Sequence, residues 1–261
     1  MKVFSAMASG KLHLIDVFSY SCMNCLRSLE CIRRLDRRYG PKGLHTVILH
    51  VPEWEFEKDK GHVAKACKRL GISFPVILDS NKKIIGKLGI DFWPTQLLMK
   101  DGKILYCHVG EGGYRALEKT IRSVLDSTGK WVFASEPKYT TYPAVYAGTR
   151  KGRKITNGNA MGFGKMGIVK GKFSQGKESL KHWGEKGMLS IASKGDSIFI
   201  IAQSSSKKGA VITIKENNEI HDRIKVKDPM LYPVKPFPSK KQRDLILEIK
   251  GRMSLYSFGF A

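Results

Sequence analysis

Through the first half of the chain, short apolar runs alternate with segments whose apolar residues recur at helical spacing. Leu12-His13-Leu14-Ile15-Asp16-Val17-Phe18, bounded by Gly10, predicts a short buried strand. Leu26, Leu29, Ile32 and Leu35 predict a helix over 23–39, with Arg27, Arg33, Arg34, Arg37 and Arg38 filling much of the rest and Gly40-Pro41 stopping it. A second buried strand follows over 44–51. A helix over 61–70 then has Val63, Ala66, Cys67 and Leu70 on one face. A strand at 74–78, a short helix at 81–88, a hairpin of 96–99 with 103–109 about Lys100-Asp101-Gly102, and an amphipathic helix over 114–125 complete the pattern. That order predicts an α/β unit over residues 1–128, a mixed sheet with helices on both faces.

Around Ser127-Thr128-Gly129-Lys130 the pattern changes. Residues 129–261 are rich in Gly, Ser and Lys, with short alternating runs at 188–192, 197–202, 210–215, 223–226, 244–249 and 253–258. Such spacing predicts an all-β sandwich or jelly roll. Trp183, Tyr142 and Tyr146 are assigned to core packing.

The chemistry concentrates at Cys22-Met23-Asn24-Cys25, where the first strand hands over to the first helix. A thiol there lies near unpaired backbone N–H groups and the positive end of the helix dipole, which favour thiolate over thiol. The competing reading is half of a zinc site, but a closed site needs four ligands and no second C-x-x-C occurs. A redox dithiol with no metal and no bound cofactor is therefore expected. Cys31, Cys67 and Cys107 read as small buried apolar residues, and His50 as a satisfied strand-end histidine. Two glycine patterns are set aside. Gly162-Phe163-Gly164-Lys165-Met166-Gly167 lacks the strand before and helix after that a dinucleotide site needs, and Glu178 stands where the P-loop beginning at Gly171 would need Ser or Thr.

The formal net charge of +23 would favour acidic partners. It is spread through both halves, however, 22 Lys+Arg against 13 Asp+Glu over 1–130 and 24 against 10 over 131–261. Without a concentrated basic element or nucleic-acid motif, a solvated basic surface is expected rather than nucleic-acid binding. No apolar run approaches the ~20 residues of a membrane span. Met1 to Gly10 is too interrupted to predict a signal peptide, so the expected location is cytoplasmic.

Several stretches resemble the thioredoxin-like family, in its TlpA/ResA branch and particularly its DipZ-type members. They are the run Ile15 to Cys25, His50-Val51-Pro52-Glu53-Trp54-Glu55-Phe56-Glu57-Lys58, Leu70 to Asp79, Trp93-Pro94-Thr95 and Gly110-Glu111-Gly112. The resemblance implies a thiol–disulfide oxidoreductase acting on protein disulfides or dithiols, reset by an upstream redox partner. Cys22 would be the attacking thiolate and Cys25 the resolving thiol. Asp16 would be the buried acid that takes the proton of Cys25, and Pro94 the cis-proline facing the pair. Trp93, Tyr20 and Glu53 would flank the substrate. Ser28 stands where ResA-like members have a glutamate, and Asn24 where proline is usual, which leaves the direction of electron flow open. DipZ-type members also carry a β-domain like a carbohydrate-binding module, which Leu231-Tyr232 and Leu255 to Phe260 resemble. That allows a rival reading, a redox-sensing binding module whose β-domain takes a glycan or protein ligand. Relatives usually work outside the cytoplasmic membrane.

Overall fold

A computed structural model of the protein describes residues 10–138, 142–160 and 164–261. Met1 to Ser9, on which the leader reading rested, and Gly162 and Phe163 of the first glycine pattern lie outside them. The chain divides into two compact units, Met1–Lys138 and Tyr139–Ala261.

In the first unit β1 (Leu12–Phe18) is buried along its whole length, parallel to β2 (Leu44–His50) and antiparallel to β4 (Thr95–Lys100). β3 (Val76–Leu78) adds to β2 and β5 (Lys103–Val109) to β4, in the order β3-β2-β1-β4-β5. The helices are α1 (Met23–Tyr39), α2 (Lys60–Arg69), α3 (Lys83–Leu88) and α4 (Tyr114–Val124). Side chains alternate across a strand, so β1 feeds two cores. Leu12 and Leu14 join Ile32, Leu35 and Tyr39 of α1 and Leu117 and Ile121 of α4. Ile15 and Val17 join Leu49, Ile85, Leu97 and Met99 on the other face. Asp16 shares the parity of Leu12 and Leu14, which puts its carboxyl on the α1 face. Among the described residues no helix is long and apolar enough to cross a membrane.

The boundary expected at 128/129 lies at 138/139 instead. The chain after α4 packs back on its own unit, with Phe133 buried 5.7 Å from the Tyr114 ring and 4.7 Å from the Arg34 guanidinium. The buried Glu118 carboxylate accepts from the backbone N–H groups of Val132 and Phe133 at 2.6 and 2.9 Å and from the Tyr39 hydroxyl at 2.6 Å. Gly113, at the N-cap of α4, has no side chain with which to cap it. Glu136 supplies the missing acceptor, taking the N–H groups of Tyr114 and Arg115 at 2.9 and 3.0 Å.

The second unit is a β-sandwich. One sheet holds β6 (Tyr142–Tyr146), β9 (Phe173–Gln175), β10 (Leu180–His182), β12 (Ile198–Ser204), β15 (Met230–Pro233) and β17 (Met253–Phe260). The other holds β7 (Thr156–Asn157), β8 (Met166–Lys170), β11 (Lys186–Lys194), β13 (Ala210–Glu216), β14 (Glu219–Val226) and β16 (Gln242–Lys250). Ile200, Leu255 and Phe258 of the first meet Leu189, Ile212 and Leu247 of the second in one core. Gly167 lies in a strand, where a dinucleotide site would start a helix, and β9 occupies the P-loop-like stretch.

Three packing assignments are corrected. Trp183 is 56% exposed, outside the core, because it follows the end of the short strand β10. Cys107 is exposed because β5 is the edge strand of its sheet, and Cys67 is only half-buried. Cys31 is buried as expected.

Phe133→Ala should cost about 3–5 kcal/mol in urea unfolding of the first unit, because it empties a filled slot. Phe92→Ala, at a site 70% exposed, should stay within about 0.5 kcal/mol. Equal losses would remove the 129–136 segment from the fold of this unit.

Candidate functional site

Cys22 is the N-cap of α1 in an extended conformation, and its sulfur accepts the Cys25 N–H at 3.4 Å. The cap places Cys22 at the helix tip, half-buried, and Cys25 one turn inside, fully buried; both are free thiols. Burial is the main force pushing the Cys25 thiol well above its ordinary range. The hydrogen bond and charge of Cys22 and the charge of Asp16 push the same way. Cys25 therefore holds its proton until an acceptor takes it.

Beneath the pair lies a buried polar cluster. Asp16 and Gln96 are direct cross-strand partners of β1 and β4. Both have the parity that faces α1, and Ser28 of α1 is buried with them. The Gln96 amide donates to Asp16 Oδ1 at 3.3 Å and to Ser28 Oγ at 3.1 Å. Asp16 Oδ2 is buried with no hydrogen-bond partner among the described residues. Burial raises Asp16 to about 7, and the Gln96 bond pulls the other way. An acid so placed changes charge near neutral pH.

Above the pair, the Trp93–Pro94 peptide is cis, and the Trp93 carbonyl lies 3.9 Å from the Cys22 sulfur, in line to accept its S–H. Pro94 is buried and its carbonyl takes the Gly110 N–H at 2.8 Å. Glu111, the next residue, forms a two-pronged pair with Arg27 of α1 at 2.6 and 2.7 Å. Arg27 also donates to Asn24 Oδ1 at 2.8 Å, so a residue between the two cysteines is tied to the loop after β5.

Beside the pair sits Glu57, completely buried. Its Oε1 accepts the Ser19 hydroxyl at 2.8 Å, the Ser21 hydroxyl at 2.8 Å and the Ser21 N–H at 3.2 Å. Its Oε2 accepts the N–H groups of Glu53 and, at 3.2 Å, Trp54. Burial raises Glu57 to about 7 against these bonds, which favour the carboxylate.

The structure thus brings together Cys22, Cys25, Asp16, Pro94, Trp93 and Glu53, the last accepting the Trp93 indole N–H at 3.5 Å. Tyr20 is corrected. At 2% exposure it faces inward, stacked on His50 at 5.6 Å and close to Phe56 at 6.1 Å, and offers no surface to a substrate. Burial holds His50 down at about 4, so it stays neutral near pH 7. Sequence reasoning assigned no role to Gln96, Arg27, Glu111 or Glu57. For Gln96 the signal was present: an amide preceding Leu97-Leu98-Met99 in a buried strand, at the parity of Asp16.

The family model described as Redoxin matches residues 3–125. Protein DipZ of Mycobacterium tuberculosis is 36% identical over 135 residues, covering 51% of this chain and 19% of DipZ. The thiol-disulfide oxidoreductase ResA of Bacillus anthracis is 28% identical over 116 residues, covering 44% of this chain and 64% of ResA. Among solved structures, StoA from Bacillus subtilis aligns with a TM-score of 0.38 at 17% identity, over 44% of this chain and 84% of StoA. The N-terminal unit, with a C-x-x-C at the tip of α1, is a thioredoxin-like domain of the Redoxin family and is similar to DipZ and to the thiol-disulfide oxidoreductase ResA.

Proposed function

We propose that the protein exchanges disulfides with polypeptide substrates through Cys22 and Cys25. The observation that carries this reading is the asymmetry of the pair. Cys22 is reachable at the helix tip, while Cys25 is sealed one turn below it, over a buried carboxyl with one unpartnered oxygen.

In the reducing direction the Cys22 thiolate attacks one sulfur of a substrate disulfide. A Cys22–substrate disulfide forms, the substrate S–S bond breaks, and the departing thiolate takes a proton from solvent. Cys25 then gives its proton to Asp16 and attacks the Cys22 sulfur. The Cys22–Cys25 bond forms, the second substrate thiolate leaves, and two electrons have passed to the substrate. The dithiol itself carries the electrons, so the step needs no bound cofactor. A dithiol partner resets the pair, and running the sequence backwards oxidises a substrate. The Trp93 carbonyl, beside the Cys22 sulfur, and the exposed Phe92 lie where an incoming chain would approach.

With insulin as substrate and dithiothreitol as reductant, Cys22→Ser should lose essentially all acceleration. Cys25→Ser should instead accumulate a mixed disulfide at Cys22, visible by intact mass. A wild-type protein no faster than dithiothreitol alone would end this reading.

Asp16→Asn should slow resolution at pH 7 by about 10²-fold, the scale of a lost proton acceptor. It should also change the pH dependence of stability. An acid raised from 3.8 to about 7 by burial is favoured neutral in the folded state. Its contribution is whole below about pH 4 and is lost as pH rises through about 7, a change on the order of 4 kcal/mol. Asparagine stays neutral. The variant should therefore match wild type in urea unfolding at pH 4 and exceed it at pH 8; equal curves at pH 8 would contradict the burial of an ionising Asp16.

A further inference from the structure

Hydrogen bonds form a closed circuit around the attacking sulfur. The Cys22 thiol faces the Trp93 carbonyl, and the Trp93 indole donates to the Glu53 carboxylate. The Glu53 N–H donates to Glu57 Oε2, Glu57 Oε1 accepts the Ser21 N–H, and Ser21 is bonded covalently to Cys22. One buried side chain, Glu57, closes the ring. We propose that Glu57 is a positioning residue that fixes the Cys22 sulfur relative to the Trp93–Pro94 loop, so that an incoming disulfide meets a preset line of attack.

This rests on the disulfide-exchange reading above and extends it. A buried carboxylate is acceptor-only, and five neutral donors converge on it: three from the segment that enters Cys22 and two from the loop that carries Glu53. No other acceptor type satisfies both groups. An amide in its place can turn its oxygen to the Glu53 and Trp54 N–H groups and its NH2 to the Ser19 and Ser21 hydroxyls, which can rotate to accept. The Ser21 N–H cannot. Glu57→Gln therefore cuts the circuit at the residue before Cys22 and spares the rest. Small errors in the placement of reacting atoms cost rate steeply.

The test measures insulin reduction by wild type and Glu57→Gln, with iodoacetamide labelling of the thiols and amide exchange at Ser21. The expected result is a fall of about tenfold or more in kcat for insulin, with Cys25 and Cys31 still protected from iodoacetamide and exchange protection lost at Ser21 but kept at Trp54. A merely structural role would instead open Cys25 and Cys31 to labelling, with activity falling in proportion to the unfolded fraction. That result overturns the proposal, as does an unchanged kcat in a folded variant. If Glu57→Gln does not fold, Ser19→Ala/Ser21→Ala keeps the carboxylate and removes two of its donors. It should lower kcat by about threefold, and wild-type kcat in this folded pair overturns the proposal. An inert wild type overturns both readings, whereas an active wild type with an equally active, folded Glu57→Gln overturns the positioning role alone.

Discussion

The site depends on one act of burial: Asp16 is carried out of water by β1 and given a single neutral donor. Strand parity makes this unavoidable. If Leu12 and Leu14 pack against α1, the side chain two residues further on must face α1 as well. The cost of placing a carboxylate there is what raises Asp16 to about 7. The same dry surroundings hold Cys25 in its thiol form. Acid and thiol thus share one environment, and the charge of Asp16 adds to the burial that keeps the thiol protonated.

Asp16 and Glu57 are both buried carboxyls, both raised by burial, yet their surroundings differ in kind. Among the described residues one oxygen of Asp16 has no partner, so a proton can arrive and leave without breaking the fold. Glu57 is crowded with donors, so a proton on it would displace a hydrogen bond. The first arrangement suits transfer and the second suits rigidity. The Arg27–Glu111 pair adds a third device, joining the cysteine-bearing turn to the loop next to Pro94 through a partly buried, two-pronged contact.

Features set by local chain were legible in the sequence. The helix over 23–39, the strand ahead of it and the handover between them at the cysteines follow from spacing. The places of Asp16 beneath the cysteine pair and of Pro94 in a cis peptide facing it were expected from family likeness. Glu57 gave no signal and Gln96 only that of an amide in a buried strand, because each acts on a partner distant in sequence but adjacent through the sheet or across a loop. Tyr20 was expected beside the substrate from family likeness, while the turn directs its ring inward onto His50. In the second unit, β7, β9, β10 and β15 are two to four residues long, too short for alternation to show. The unit boundary was placed early because the Gly- and Ser-containing stretch after α4 looks like a linker, and its anchors, Phe133 and Glu136, take their meaning only from the surface they meet.

That returning stretch has a practical consequence. α4 draws its N-terminal acceptor from Glu136, beyond the point where helix prediction would end the fold. A fragment excised at the last predicted helix would lose the cap of that helix and uncover the apolar slot beneath Phe133. The position of the cut would by itself account for poor behaviour of such a fragment.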